Sequence, residues 1–80
     1  MTRKHFEMIA RILHGRANAI SFSSASVESK HYAMLELRDL MYNLGDEFVQ
    51  ENPRFDKGKF YKACDIQTKL EYYIKLLETV

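Results

Sequence analysis

Between Val27 and Gln50 the chain reads VESKHYAMLELRDLMYNLGDEFVQ, its longest uninterrupted helical pattern. Met34, Leu37, Met41, Leu44 and Phe48 recur at alternating steps of three and four, the seam of an amphipathic helix. Ala33 and Leu40 widen that seam on one side. At about 100° per residue, Leu35, Tyr42 and Val49 form a second apolar line on another flank. A helix apolar on two flanks needs covering from two directions, which predicts a central position. Most of what stays polar, Glu28, Glu36, Asp39, Asn43, Asp46, Glu47 and Gln50, makes a narrow acidic stripe.

Upstream, Thr2 can cap a first helix whose inward line is Phe6, Ile9, Ala10, Leu13, Ala17 and Ile20. Gly15 sits inside that pattern at a cost of about 1 kcal/mol relative to alanine, so an end of the helix near it is expected. Arg3 and Lys4 oppose the positive end of the helix dipole. Ser21 to Ser26 reads as a loop, because its serines compete for backbone hydrogen bonds. Phe22 inside it is expected to tuck under the loop rather than face solvent. Ser24 or Ser26 then caps the central helix, with Glu28 well placed in its first turn.

Gly45 marks a bend in the central helix or a close approach by another backbone. Asn52-Pro53 ends that helix, since proline disfavours helical geometry in the residue before it. Asp56 caps a short helix, Lys57 to Cys64, with Phe60 and Ala63 facing inward. Asp65 can cap a last helix with the inward line Ile66, Leu70, Tyr73, Ile74 and Leu77. Whether the last two helices join is open at this level. The pattern predicts one all-α domain, residues 1–80. It is a small bundle of three main helices and one short one, over about 3–19, 27–51, 57–64 and 66–79.

Composition narrows this picture. An apolar share of 46% excludes a disordered chain, and one proline with three glycines suits helices better than strands and turns. At 80 residues a single core gives marginal stability, and Cys64 is the sole cysteine, so no disulfide supplements it. A chain of this size with two apolar flanks on one helix is expected to form a homodimer or higher oligomer. Changes at Leu35 or Tyr42 would then weaken assembly. A lone cysteine suits a reducing compartment. No apolar run approaches the roughly 18 residues of a membrane span, and Arg11 and His14 interrupt any signal-peptide core. The expected location is the cytoplasm.

The net charge of +1 excludes both a strongly basic nucleic-acid coat and a heavily acidic DNA mimic. The charges are nevertheless segregated. Residues 1–16 carry Arg3, Lys4, Arg11 and Arg16 against Glu7. Residues 27–51 carry six acids against Lys30 and Arg38, and residues 54–65 turn basic again. Neutralisation between segments within the fold is the favoured account.

The most distinctive stretch is ENPRFDKGKFYKAC, residues 51–64. Its residues have a structural explanation: Phe55 and Phe60 have the spacing of a hydrophobic staple around an Asp56 cap, and Arg54 can reach back to the last carbonyls of the preceding helix. Together with the opening MTRKHFEMIARIL, this stretch resembles a group of small bacteriophage-encoded proteins. Those share an MTRK-aromatic start and an NPRFD, basic, aromatic, Ala-Cys segment. The resemblance covers about a third of the chain, and the group ends soon after the Ala-Cys pair whereas this chain continues to Val80. It implies a phage or prophage origin, hence the cytoplasm of a bacterial host, and no activity or cofactor.

Catalytic and metal chemistry find little support. His5, His14, His31 and Cys64 lack paired zinc-ligand spacing, and no glycine-rich phosphate loop exists. Asp46 and Glu47 diverge by about 100° on a helix, so they make no carboxylate pair. Cys64 reads as a small buried hydrophobe. The expectation is a non-enzymatic module without cofactors that binds a host protein through Glu36, Asp39, Asn43, Asp46 and Glu47. Inhibition or redirection of a host defence complex is one concrete form. The alternative is a small nucleic-acid-binding protein using Arg3, Lys4, Arg11, Lys57, Lys59, Tyr61 and Lys62, where cations meet phosphate and an exposed ring stacks on bases.

Overall fold

Residues 2–79 are described by a computed structural model. They form four helices, α1 (Arg3–Phe22), α2 (Val27–Glu51), α3 (Lys57–Cys64) and α4 (Ile66–Glu78), with no strand among the described residues. The all-α bundle predicted from the pattern is thus the observed architecture, with α2 at its centre and packed against the other three helices. Apolar burial places α2 there. Met34, Met41 and Phe48 are buried along its inner seam, with Leu37 and Leu44 half-buried beside them. Ala10, Leu13 and Ala17 of α1, Phe60 and Cys64 of α3, and Ile66, Leu70 and Tyr73 of α4 complete one contiguous core.

Capping fixes the helix ends. The Ser26 side chain accepts from Ser29 N–H at the start of α2, and the Thr2 N–H donates to His5 Nδ1 at the start of α1. Asp56 accepts from Lys59 N–H at 3.0 Å, while Phe55 and Phe60 meet with ring centroids 5.6 Å apart. That is the staple around an Asp cap which the spacing predicts. Phe55 also packs on Phe6 at 4.5 Å and on Phe48 at 5.3 Å, so one aromatic cluster joins α1, α2 and the turn before α3. Between α3 and α4, Asp65 takes a left-handed conformation with φ 53°. The two last helices are therefore adjacent but broken by one residue.

Several expectations are corrected. α1 runs through Gly15 to Phe22, and the loop shrinks to Ser23–Ser26. Ile20 supplies the reason: its carbonyl accepts from both the Ser23 N–H and the Ser23 hydroxyl, which caps the longer helix. Phe22 is no plug; it is 88% exposed, because the final turn of α1 points it outward. Leu40 is 48% exposed rather than core, since the inner seam centres on Met34, Met41 and Phe48. Ala63 is exposed and Cys64 takes the inward place. Arg54 makes its contact through its backbone, N–H to Asn52 Oδ1, rather than by a side chain reaching back to α2. At Gly45 it is a side chain that approaches. A Cβ there would lie 2.6 Å from the Tyr61 hydroxyl, and α2 continues helical through the position.

Candidate functional site

Glu36, Asp39, Asn43, Asp46 and Glu47 are all exposed along one side of α2. Their spacing makes this inevitable once Met34, Met41 and Phe48 face the core, because they lie opposite that seam at 100° per residue. Two large apolar groups interrupt the acids: Tyr32 is 67% exposed and Leu40 48%. Tyr32, Glu36, Leu40, Asn43 and Glu47 succeed one another by steps of three or four, forming one outward line. The same stepping, applied from Glu36 rather than from Met34, would have assigned Leu40 to this face.

The start of the face is anchored, since Lys30 Nζ donates to the Ser21 carbonyl at 2.9 Å and holds α2 against the end of α1. Near its other end, Asp46 bonds Lys57 at 3.1 Å. That bond and the Asp46 charge push the Lys57 ammonium above its usual range. One residue from each of the two alternative sets is thus engaged with the other, an instance of charge neutralisation between segments.

The remaining basic residues of the alternative set are spread over α1 and α3, which pack against each other. Arg3 bonds Glu7 at 3.0 Å. Lys4 and Arg11 are exposed on α1, and Lys59 and Lys62 on α3, with no carboxylate partner among the described residues. Tyr61 is turned inward over Gly45 and stands edge-on to Tyr42 at 5.0 Å, and burial raises its hydroxyl pKa. Tyr61 is half-buried, so its ring is only partly open to stacking.

A cleft of about 460 Å³ opens between the start of α1 and the turn before α3. Phe6, Phe55 and Phe60 line it, with Arg3, Arg54 and Lys59 among its polar residues. All its lining residues come from residues 1–13 and 51–64, so those two segments converge in space. Cys64 is fully buried and its thiol is pushed up to about 11 by desolvation, which keeps it protonated and unreactive at neutral pH. Among the described residues no group of three or more His, Cys, Asp or Glu converges on a point. No described helix is long and apolar enough to cross a membrane.

No protein-family model, curated protein or solved structure matches this chain. Function is therefore argued from the site itself.

Proposed function

We propose that the chain is a small phage-type accessory protein acting as a non-enzymatic protein-binding module, with the outer face of α2 as its contact surface. The observation that carries this is the line Tyr32, Glu36, Leu40, Asn43, Glu47, which puts exposed apolar anchors among acids on one helix face. Tyrosine flanked by charge is typical contact chemistry, with the ring supplying buried area and the acids supplying orientation. The complement is a basic groove on a host protein, of the kind used to handle nucleic acid. Inhibition of a host defence complex is the concrete form that a phage origin favours, by analogy of size and origin.

The alternative, direct nucleic-acid binding, is supported by the unpaired exposed cations Lys4, Arg11, Lys59 and Lys62. It is weakened by the Asp46–Lys57 bond, which ties one of its cations to the acidic face. Pull-down from bacterial lysate with and without nuclease separates the two. The expected result is a nuclease-resistant protein, lost on Glu36→Lys with Asp39→Lys and on Tyr32→Ala, and retained on Lys59→Glu with Lys62→Glu. Recovery of nucleic acid alone, abolished by the Lys59 and Lys62 changes and falling steeply with salt, would establish the alternative.

A further inference from the structure

Helix α1 carries a second apolar line in addition to the one it buries. Met8, Ile12, Gly15, Ala19 and Phe22 are separated by steps of four, three, four and three, the repeat of a helix–helix seam. All five are exposed: Met8 at 42%, Ile12 at 57% and Phe22 at 88%, with Gly15 and Ala19 between them. The line runs about 21 Å along the helix at 1.5 Å per residue. Nothing among the described residues covers it.

Gly15 supplies an independent observation. A glycine in a helix interior weakens the helix, and here the chain provides no reason for it. A Cβ built at Gly15 meets nothing within 4 Å, and its φ is not positive. The missing side chain leaves room for something outside the fold.

We propose that this stripe is the seam of a homodimer, in which α1 packs antiparallel against α1 of a second copy and the two helices cross at Gly15. The stripe is complementary to itself in that arrangement. Reversal about Gly15 sets Met8 beside Phe22 of the partner, a sulfur–aromatic pair, and Ile12 beside the small Ala19. The two glycines meet at the crossing, where backbones can approach closely. On one flank Arg11 falls next to Asn18 of the partner, a donor beside an amide acceptor.

Surface area points the same way. The chain exposes 5708 Å², whereas a compact monomer of 9.5 kDa exposes about 5,000 Å² by the usual scaling. The excess of about 700 Å² approaches the roughly 800 Å² that one partner contributes to a standard interface. It arises from an elongated outline, 43 × 19 × 15 Å between Cα extremes, which side-by-side pairing along α1 would thicken. The second flank of α2 is a weaker candidate, because Leu35 is half-buried against the core and Tyr42 packs on Tyr61.

Sedimentation velocity from 1 to 200 µM tests the seam. The expected result is twice the 9.5 kDa chain mass. Ile12→Glu and Phe22→Glu should each give monomers with unchanged helical circular dichroism. Gly15→Ala gives the sharpest readout. If Gly15 has no partner, alanine raises the melting temperature and leaves the mass alone. At a helix crossing, the added methyl weakens the dimer at least tenfold. A wild-type monomer across the range would overturn the proposal, as would a dimer indifferent to all three substitutions. Gly15→Cys gives a second measurement. Buried Cys64 does not compete for oxidation, so an intermolecular disulfide should form readily, and its absence in a wild-type-like dimer would rule out this crossing.

Discussion

Two glycines lie in the interiors of two helices, and their surroundings are opposite. Gly45 of α2 is buried, and the Tyr61 ring occupies the space a side chain would need. Gly15 of α1 is exposed, with nothing within 4 Å of a built Cβ. The first glycine is explained by the chain that contains it and the second is not. The contrast extends to whole regions. Between α2 and α3 the aromatic residues Phe48, Phe55, Phe60, Tyr42 and Tyr61 form a continuous series of edge-to-face and tilted ring contacts. On the outside of α1 the apolar residues are spaced just as regularly but face solvent. A regular apolar pattern thus does not by itself say whether the chain covers that face.

The largest effect that can test this contrast is at Phe60. Its truncation to alanine should cost about 3–5 kcal/mol, read by urea or thermal unfolding, because the ring is 4% exposed and packs on three other rings. Phe22→Ala, in a chain kept monomeric by Ile12→Glu, should stay within about 0.5 kcal/mol. A large loss there would mean that the outer stripe supports the monomer after all.

The glycines come next. Gly45→Ala drives a methyl into the Tyr61 ring and should destabilise by about 1–3 kcal/mol, with Tyr61→Ala in the same chain recovering much of the loss. In the same monomeric background Gly15→Ala should stabilise by about 1 kcal/mol through helix propensity alone. Two identical substitutions of opposite sign would confirm that one space is filled and the other empty.

The smallest effect lies where the two regions join. His14 of α1 hydrogen-bonds the Cys64 carbonyl at 3.3 Å, and Asp65 follows directly. Burial alone would raise the Asp65 carboxyl. The Lys69 ammonium bonded to it at 3.3 Å and a hydrogen bond from Thr68, with a smaller contribution from nearby His14, outweigh that and hold it below the ordinary 3.8. A lowered carboxyl contributes stability above its ordinary pKa and loses it as pH falls through the folded value. Asp65→Asn, which keeps tolerance for the left-handed backbone, should therefore cost stability at pH 7. The difference from wild type should shrink as pH falls below the ordinary 3.8 and through the lowered folded value, followed by thermal melts across the acid range.

Much of the fold was legible because its signals are local. The Asp56 cap with its Phe55–Phe60 staple, the Ser26 cap and the Asn52-Pro53 stop each depend on residues a few positions apart, and each end falls where those residues put it. Phe22 and Leu40 were misplaced because an apolar side chain does not itself say whether its neighbour belongs to the same chain. Leu40 lies on a line with a helical step and was assigned inward by it, whereas Phe22 was read as tucking under a Ser21–Ser26 loop whose first part is in fact the last turn of α1. The acidic residues of α2 were correctly exposed, but the Lys57–Asp46 bond joins segments whose proximity only the folded chain decides. The same holds for Gly45, where the sequence marks a close approach and the structure names Tyr61.

The pairing of α1 with α3 has a consequence for how the chain is made. His14 and Cys64 are 50 positions apart, and Phe6 contacts Phe55 across a comparable separation. A ribosome working at 5–20 residues per second needs roughly 3–10 seconds to deliver the second member of such a pair. Closing a loop of about ten residues takes only about 10–100 nanoseconds, so folding adds little to that delay. Until α2 and then α3 are made, α1 has two uncovered apolar lines. One can be covered only by the later part of its own chain, while the other is already available to a neighbouring nascent chain on the same message. The interval is set by translation speed, so slowing elongation after residue 22 should increase capture of the emerging helix by chaperones or by its own copies.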